Sequence, residues 1–345
     1  MSTLRPPTMK DVALAAGVSR ATVSLALRND RSIAAATRSR IYAVAEQLGY
    51  KTNPLVAALM SSIHARRLSQ KHTVLAYVTT DPQFAPWRTW RMFIEMHEGA
   101  KTRAEELGYR LEEFPLRAPG MTPKRFVQML QARGILGLLI APLPHGERVI
   151  ELDFQDFAVV GIDMSVASPL IERVSNDHYQ SALLAVRKCR ELGYRRIGFV
   201  LSRMLSRRLE HRWLAGLRMA DEDVRPAQRV RLLMPETGDD IPAALPGWVA
   251  REKPDVIIMS ELNPVTYYGL PPRLGIVSLS LEEPVGNITG IFQDNRRMGA
   301  IAIEHLVARL ERCEFGPDDR GRLHLVAGQW VPGKTALGPG IPRAT

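Results

Sequence analysis

The chain has 345 residues, a net charge of +10 and only two cysteines. That length exceeds one small domain and leaves room for a headpiece plus a large α/β body. No apolar run reaches membrane-spanning length, MSTLRPPT lacks the apolar stretch of a signal peptide, and Cys189 and Cys313 lie far apart without metal-type spacing, so a reducing cytoplasm is expected.

The placement of the charge says more than its size. Residues 1–71 hold eleven Lys and Arg against three Asp and Glu, so +8 of the +10 falls in the first fifth of the chain. A solvated basic face is the ordinary meaning of such a run. Beside a helix-turn-helix it is the footprint of a DNA-binding domain.

Taken in order, Thr8 and Asp11 make a capping-box-like opening for a short helix carrying Val12, Ala13 and Ala16 on one face, closed at Gly17. Ser19 is placed to cap a second helix, Arg20 to Arg28, with Val23 and Leu27 on its inner face. Arg20, Ala21, Ser24, Leu25 and Arg28 are left pointing elsewhere. Two short helices about a glycine turn form a helix-turn-helix, or an ordinary αα-hairpin in a core. A third helix is expected over Thr37–Leu48, with Ile41, Val44, Ala45 and Leu48 as its stripe and Tyr50 as a plug beneath.

The run DVALAAGVSRATVSLALRN resembles the amino-terminal headpiece of the lactose-repressor (LacI/GalR) family of bacterial transcription regulators, matching at Asp11, Val12, Ala13, Ala16, Gly17, Val18, Ser19, Thr22, Val23 and Ser24. The likeness extends to about Leu337. It implies that Ser19, Thr22 and Ser24 hold DNA phosphates, while Arg20, Ala21 and Leu25 face base edges. The full DNA-contacting set it suggests adds Arg28, Asn29, Asn53 and Leu59.

By the same resemblance, NPLVAALM (residues 53–60) is a hinge helix that folds when paired on DNA, with Leu59 wedging into a minor-groove base step. The other reading is an apolar stub packed on the body. Three residues depart from the family pattern here: Ala34 stands where a hydroxyl cap is usual, Thr52 replaces a proline and Val56 a small alanine.

From Thr73, strand-like runs (TVLAYVTT, YRLEEFPL, ILGLLIAP, FAVVGID, RIGFVLS, DVIIMS, RLGIVSLS) alternate with helical segments at Phe93–Leu107, Lys124–Arg133, Gln180–Leu192, Glu210–Asp221 and Met298–Leu310. Such alternation predicts parallel sheets clad in helices. The resemblance implies an all-α helix-turn-helix headpiece (8–52), a hinge and linker (53–72) and a periplasmic-binding-protein-like core (73–337) of two doubly wound subdomains. The first subdomain is expected to span 73–174 plus about 295–322. The second takes 175–292 plus about 323–337, with crossings near Val174, Phe292 and Arg322.

No phosphate loop, dinucleotide fingerprint, serine elbow or paired-histidine metal helix is present in the sequence, so neither enzyme nor cofactor nor metal is expected. Effector candidates are Asp163, Asp177, Arg212, Trp213, Glu261 and Asp294. Asp163 closes a strand at a position where the family often bonds a sugar hydroxyl. Asp177 binds ligand or caps a helix; Asp294 binds ligand or orients a crossing. Trp213, beside Arg212, stands where the family usually has arginine, and Ser260-Glu261-Leu262 replaces the usual A-N-D, so a drier cleft is expected.

The expectation is a homodimeric, effector-modulated repressor that reads near-palindromic operator DNA, with a sugar or sugar derivative as its ligand. A solute-binding protein, or a sugar-processing enzyme with a fused headpiece, is the alternative. The tail GKTALGPGIPRAT has no leucine heptad of the kind found in tetrameric relatives, hence a dimer.

Overall fold

The computed structural model describes residues 7–27, 33–50, 73–80, 88, 90–144, 146–220, 222, 224–260, 270–317 and 320–342. In the headpiece, α1 (Met9–Ala16), α2 (Arg20–Leu27) and α3 (Ala35–Gln47) pack around Val12, Ala13, Ala16, Val23, Ala26, Ile41 and Ala45. Tyr50 packs against this cluster, as expected. The Asp11 carboxylate accepts both the Thr8 N–H and the Thr8 hydroxyl at 2.7 Å, so the hydroxyl donates to Asp11. Gly17 sits at φ 63°, a left-handed turn that glycine adopts without strain, and the Val18 N–H returns to the Ala13 carbonyl. Helix α3 begins at Ala35, two residues earlier than its pattern suggests, after Ala34, which makes no side-chain cap.

The body holds two sheets. The first is built from β1 (Thr73–Thr79), β2 (Tyr109–Pro115), β3 (Gly137–Ile140), β4 (Ala158–Ile162), β5 (Glu172–Asn176) and, much later in the chain, β10 (Leu323–Val326). These run parallel in the order β10-β5-β4-β3-β1-β2. Helices α4 (Arg91–Glu106), α5 (Pro123–Ala132) and α10 (Asn295–Glu311) belong to this lobe. Gly99 and Gly299 let α4 and α10 touch. A Cβ on Gly99 would collide with the Arg296 carbonyl, and one on Gly299 with the Met96 carbonyl.

The second sheet is built from β6 (Ile197–Val200), β7 (Val256–Met259), β8 (Gly275–Leu281), β9 (Thr289–Phe292) and the antiparallel β11 (Gln329–Val331). Their order is β11-β9-β8-β7-β6. On the outer side of β6, Val200 makes an isolated parallel bridge to Leu233. Helices α6 (His178–Glu191), α7 (Arg203–Arg208), α8 (Arg212–Ala220) and α9 (Ile241–Glu252) complete this lobe. The segment expected as one helix from Glu210 therefore starts at Arg212, because Glu210 and His211 both hold positive φ and separate α7 from α8. Helix α9 is concealed in the sequence by Pro246, yet it buries Leu245, Trp248 and Val249.

The chain passes between the lobes three times. The first passage follows β5, at Asn176 and Asp177; the second follows β9, at Gln293 and Asp294. The third differs from the expectation near Arg322. Strand β10 pairs with β5 in the first sheet, so the passage falls between Val326 and Gln329. Strand β5 likewise carries the first lobe two residues past Val174.

The first two passages interlock. The Asn176 amide donates to the Asn295 side-chain oxygen at 3.1 Å, and the Gln293 amide nitrogen lies 3.5 Å from His178 Nδ1. Each strand end thus reaches the first residue of the helix that the other passage begins.

Candidate functional site

In α2, Ser19 caps the helix by accepting the Thr22 N–H at 3.0 Å, with the two hydroxyls 2.8 Å apart. Val23 and Ala26 are fully buried and Leu27 packs beside them, which commits one face to the core. Ser19 and Arg20 are exposed, and Thr22, Ser24 and Leu25 are half-buried at the surface. Ala21 lies in the first turn of α2. The Tyr42 hydroxyl donates to the Leu27 carbonyl at 3.3 Å and ties α3 to the end of α2. Arg28, Asn29, Asn53, Leu59 and Glu261 lie outside the described residues.

Of the effector candidates, Asp163 follows β4 in the first lobe at φ 73° and is 8% exposed. Its carboxylate accepts from Arg208 Nη2 at 2.9 Å and Nε at 3.2 Å, while Arg208 Nη1 donates to the Leu143 carbonyl at 2.6 Å. Arg208 ends α7 in the second lobe, so this two-pronged contact spans the cleft. Two residues further on, Glu210 spans it too. Its carboxylate accepts from Arg148 at 3.3 Å and from Arg173 at 3.2 Å, both in the first lobe. Arg148 also donates to the Arg207 and Arg208 carbonyls. Asp163, Glu210 and His211 are three of the five non-glycine residues with positive φ among the described residues. Strain gathered at one cleft points to function there.

The remaining candidates divide. Asp177 accepts the Gln180 N–H at 3.0 Å and Asp294 the Arg297 N–H at 2.9 Å, so both cap helices at the passages. Arg212 lies 3.8 Å from Glu210. Trp213 is buried and meets His178 edge-on at 4.7 Å. Its indole nitrogen is buried with no hydrogen-bond partner among the described residues. Gly216, three residues on, has a steric reason: a Cβ there would lie 2.6 Å from the Tyr179 carbonyl oxygen.

His178 is buried at the first passage. Burial pushes its imidazole down to about 4, against the weaker opposing pull of Asp163. The expectation of a drier cleft is corrected: Arg208, Glu210, Arg148 and Arg173 fill it with charge. Sequence reasoning missed these four and His178. The run Arg207-Arg208-Leu209-Glu210-His211-Arg212 is the available signal, but nothing local says which of its charges cross the cleft.

A three-helix headpiece with one free face, joined in sequence to two doubly wound lobes with a charged cleft, defines a ligand-responsive DNA-binding regulator. Residues 8–53 match the family model described as "Bacterial regulatory proteins, lacI family". The chain is 28% identical to the HTH-type transcriptional regulator PtxS of Pseudomonas plecoglossicida, over 96% of each chain. It is 26% identical to the HTH-type transcriptional repressor PurR of Aliivibrio salmonicida, over 57% of this chain and 56% of that one. Its fold is similar to a lac repressor dimer bound to operator and the anti-inducer ONPF (TM-score 0.53, 20% identity, 96% of this chain and 100% of that one). It is also similar to a CelR–cellobiose complex (TM-score 0.51, 17% identity, 95% and 99%). Residues 8–53 thus match the DNA-binding segment of the lacI family, and over its length the chain is similar to HTH-type transcriptional regulators.

Proposed function

We propose that this regulator binds near-palindromic operator DNA as a homodimer and represses transcription, with the exposed face of α2 in the major groove. The observation that carries this reading is the division of α2. Val23 and Ala26 hold the core, while Ser19 and Arg20 stand exposed at the helix start. Hydroxyls and backbone N–H groups there suit phosphates, and Arg20 suits a guanine edge. Ala21, Thr22, Ser24, Leu25, Arg28 and Asn29 extend this surface in the reading, and Asn53 and Leu59 belong to a hinge that folds on DNA.

In the cleft, a small effector separates Asp163 from Arg208. It must then offer hydroxyls to the carboxylate and accepting oxygens to the guanidinium, which describes a sugar or sugar derivative. The CelR neighbour, by its description, holds cellobiose. Parting this pair changes the angle between the lobes and so the geometry offered to the hinge. The cleft binds its ligand without turning it over. No helix among the described residues is long and apolar enough to cross a membrane, and the proposed site of action is the cytoplasm.

The test is operator affinity against salt. Several phosphate contacts per half-site predict a steep linear fall of log affinity with log salt. A nearly flat line would sink the reading. Turnover in a panel of sugars would point instead to the enzyme alternative.

A further inference from the structure

Away from the cleft, one edge of the first lobe gathers two histidines around a buried carboxylate. Glu172 on β5 is 1% exposed. Its Oε1 lies 3.0 Å from His305 Nδ1 on α10 and 2.8 Å from His324 Nε2 on β10. The two imidazole rings stack with centroids 3.6 Å apart. The three candidate ligand atoms all lie within 4.8 Å of one another. Oε2 is held separately, by Arg309 at 3.2 Å and Arg322 at 3.4 Å.

We propose that Glu172, His305 and His324 form a binding site for a divalent transition-metal ion of the zinc type. Two imidazoles and one carboxylate are a donor set such ions take, with an open position left for water. Ligand atoms around a tetrahedral Zn2+ stand about 3.3–3.5 Å apart. Both carboxylate–imidazole spacings are a few tenths of an ångström short of that, and both histidine side chains are about one-third exposed and able to move. Each imidazole frees its ligating nitrogen by carrying its proton on the other ring nitrogen. The guanidinium contacts on Oε2 orient the carboxylate, as outer partners of metal ligands do. Arg309 is itself fixed, donating to the Gly316 carbonyl at 3.0 Å. Glu314, 3.2 Å from Arg322, offsets part of the added positive charge.

The placement gives the site a consequence. Helix α10 begins directly after the second passage between lobes, and β10 ends directly before the third. An ion bridging them would tie two of the three connections together.

The test uses tag-free, full-length protein stripped with chelator and titrated with Zn2+ by calorimetry and with Co2+ by visible absorption. One equivalent per chain is expected, with the strong d–d bands of tetrahedral Co2+. His324→Ala should weaken binding at least tenfold, while His211→Asn, remote from the site, should leave it unchanged. X-ray absorption on the Zn2+-loaded wild type should show two imidazoles and oxygen ligands, a readout that does not depend on a variant folding. No saturable binding, sulfur among the ligands, or binding untouched by His324→Ala would each overturn the site.

Discussion

The headpiece and the cleft make their surfaces in opposite ways. In the headpiece, seven small or branched apolar residues form the core, and the face proposed to meet DNA is what remains outside it. In the cleft, the charged groups are paired with one another, Asp163 and Arg208 with side chains only 10% exposed, and Asp163 and Glu210 sit on backbone of positive φ. The first kind of surface gains or loses contacts to a partner with little effect on folding. The second is coupled to the stability of the whole body, so any ligand acting there must offset what it displaces.

The largest expected effect tests that coupling. Arg208→Ala leaves Asp163 with an unpaired charge on a side chain only 10% exposed, and should lower core stability by about 3–5 kcal/mol. The double variant Asp163→Ala with Arg208→Ala should recover much of that loss. Equal melting temperatures for wild type and Arg208→Ala would show that the pair is not a stabilising closure.

The next concerns pH. His178 titrates near 4 when folded, against an ordinary 6.5, so the unfolded chain takes up its proton first. Its contribution is complete above pH 6.5 and is lost as pH falls from there towards 4, by roughly 3 kcal/mol. Denaturant melts across that window should show the decline, and His178→Asn should flatten it. An unchanged slope in the variant would assign the decline to other groups.

On the headpiece side, Arg20→Ala should cost about 1–3 kcal/mol in operator binding, confined to one symmetric base position, with the core melt unaltered. A uniform loss over all sequences would make Arg20 a phosphate contact. Smallest is Ser19→Ala, which removes the α2 cap and should cost about 1 kcal/mol of headpiece stability. Amide exchange in α1 to α3 reads that loss; a change spread into the two sheets would show that headpiece and core are not energetically separate.

What can be read from sequence follows the same division. Helices α1 and α2 are readable because their caps, turn glycine and inner face all lie within about twenty consecutive residues. Strands β1 to β4 and β6 to β8 are readable as strand-like runs between amphipathic helices. Strands β5, β9, β10 and β11 are not. ERVSN, TGIF, LHLV and QWV are three to five residues long and lie at the passages between lobes, where no sustained apolar pattern is imposed. That is why the pattern points the third passage to Arg322 rather than past Val326.

By itself the sequence determined the class of the headpiece, the alternating character of the body and the concentration of charge at the amino end. These rest on local periodicity and capping, which act over a few residues. Only the tertiary structure decided that Asp163 meets Arg208, that Asn176 meets Asn295, and that Glu172 gathers His305 and His324. Those pairs are separated by 45 to 152 residues. Their meeting depends on how the lobes are threaded together, and no local pattern of side chains encodes which charge will face which.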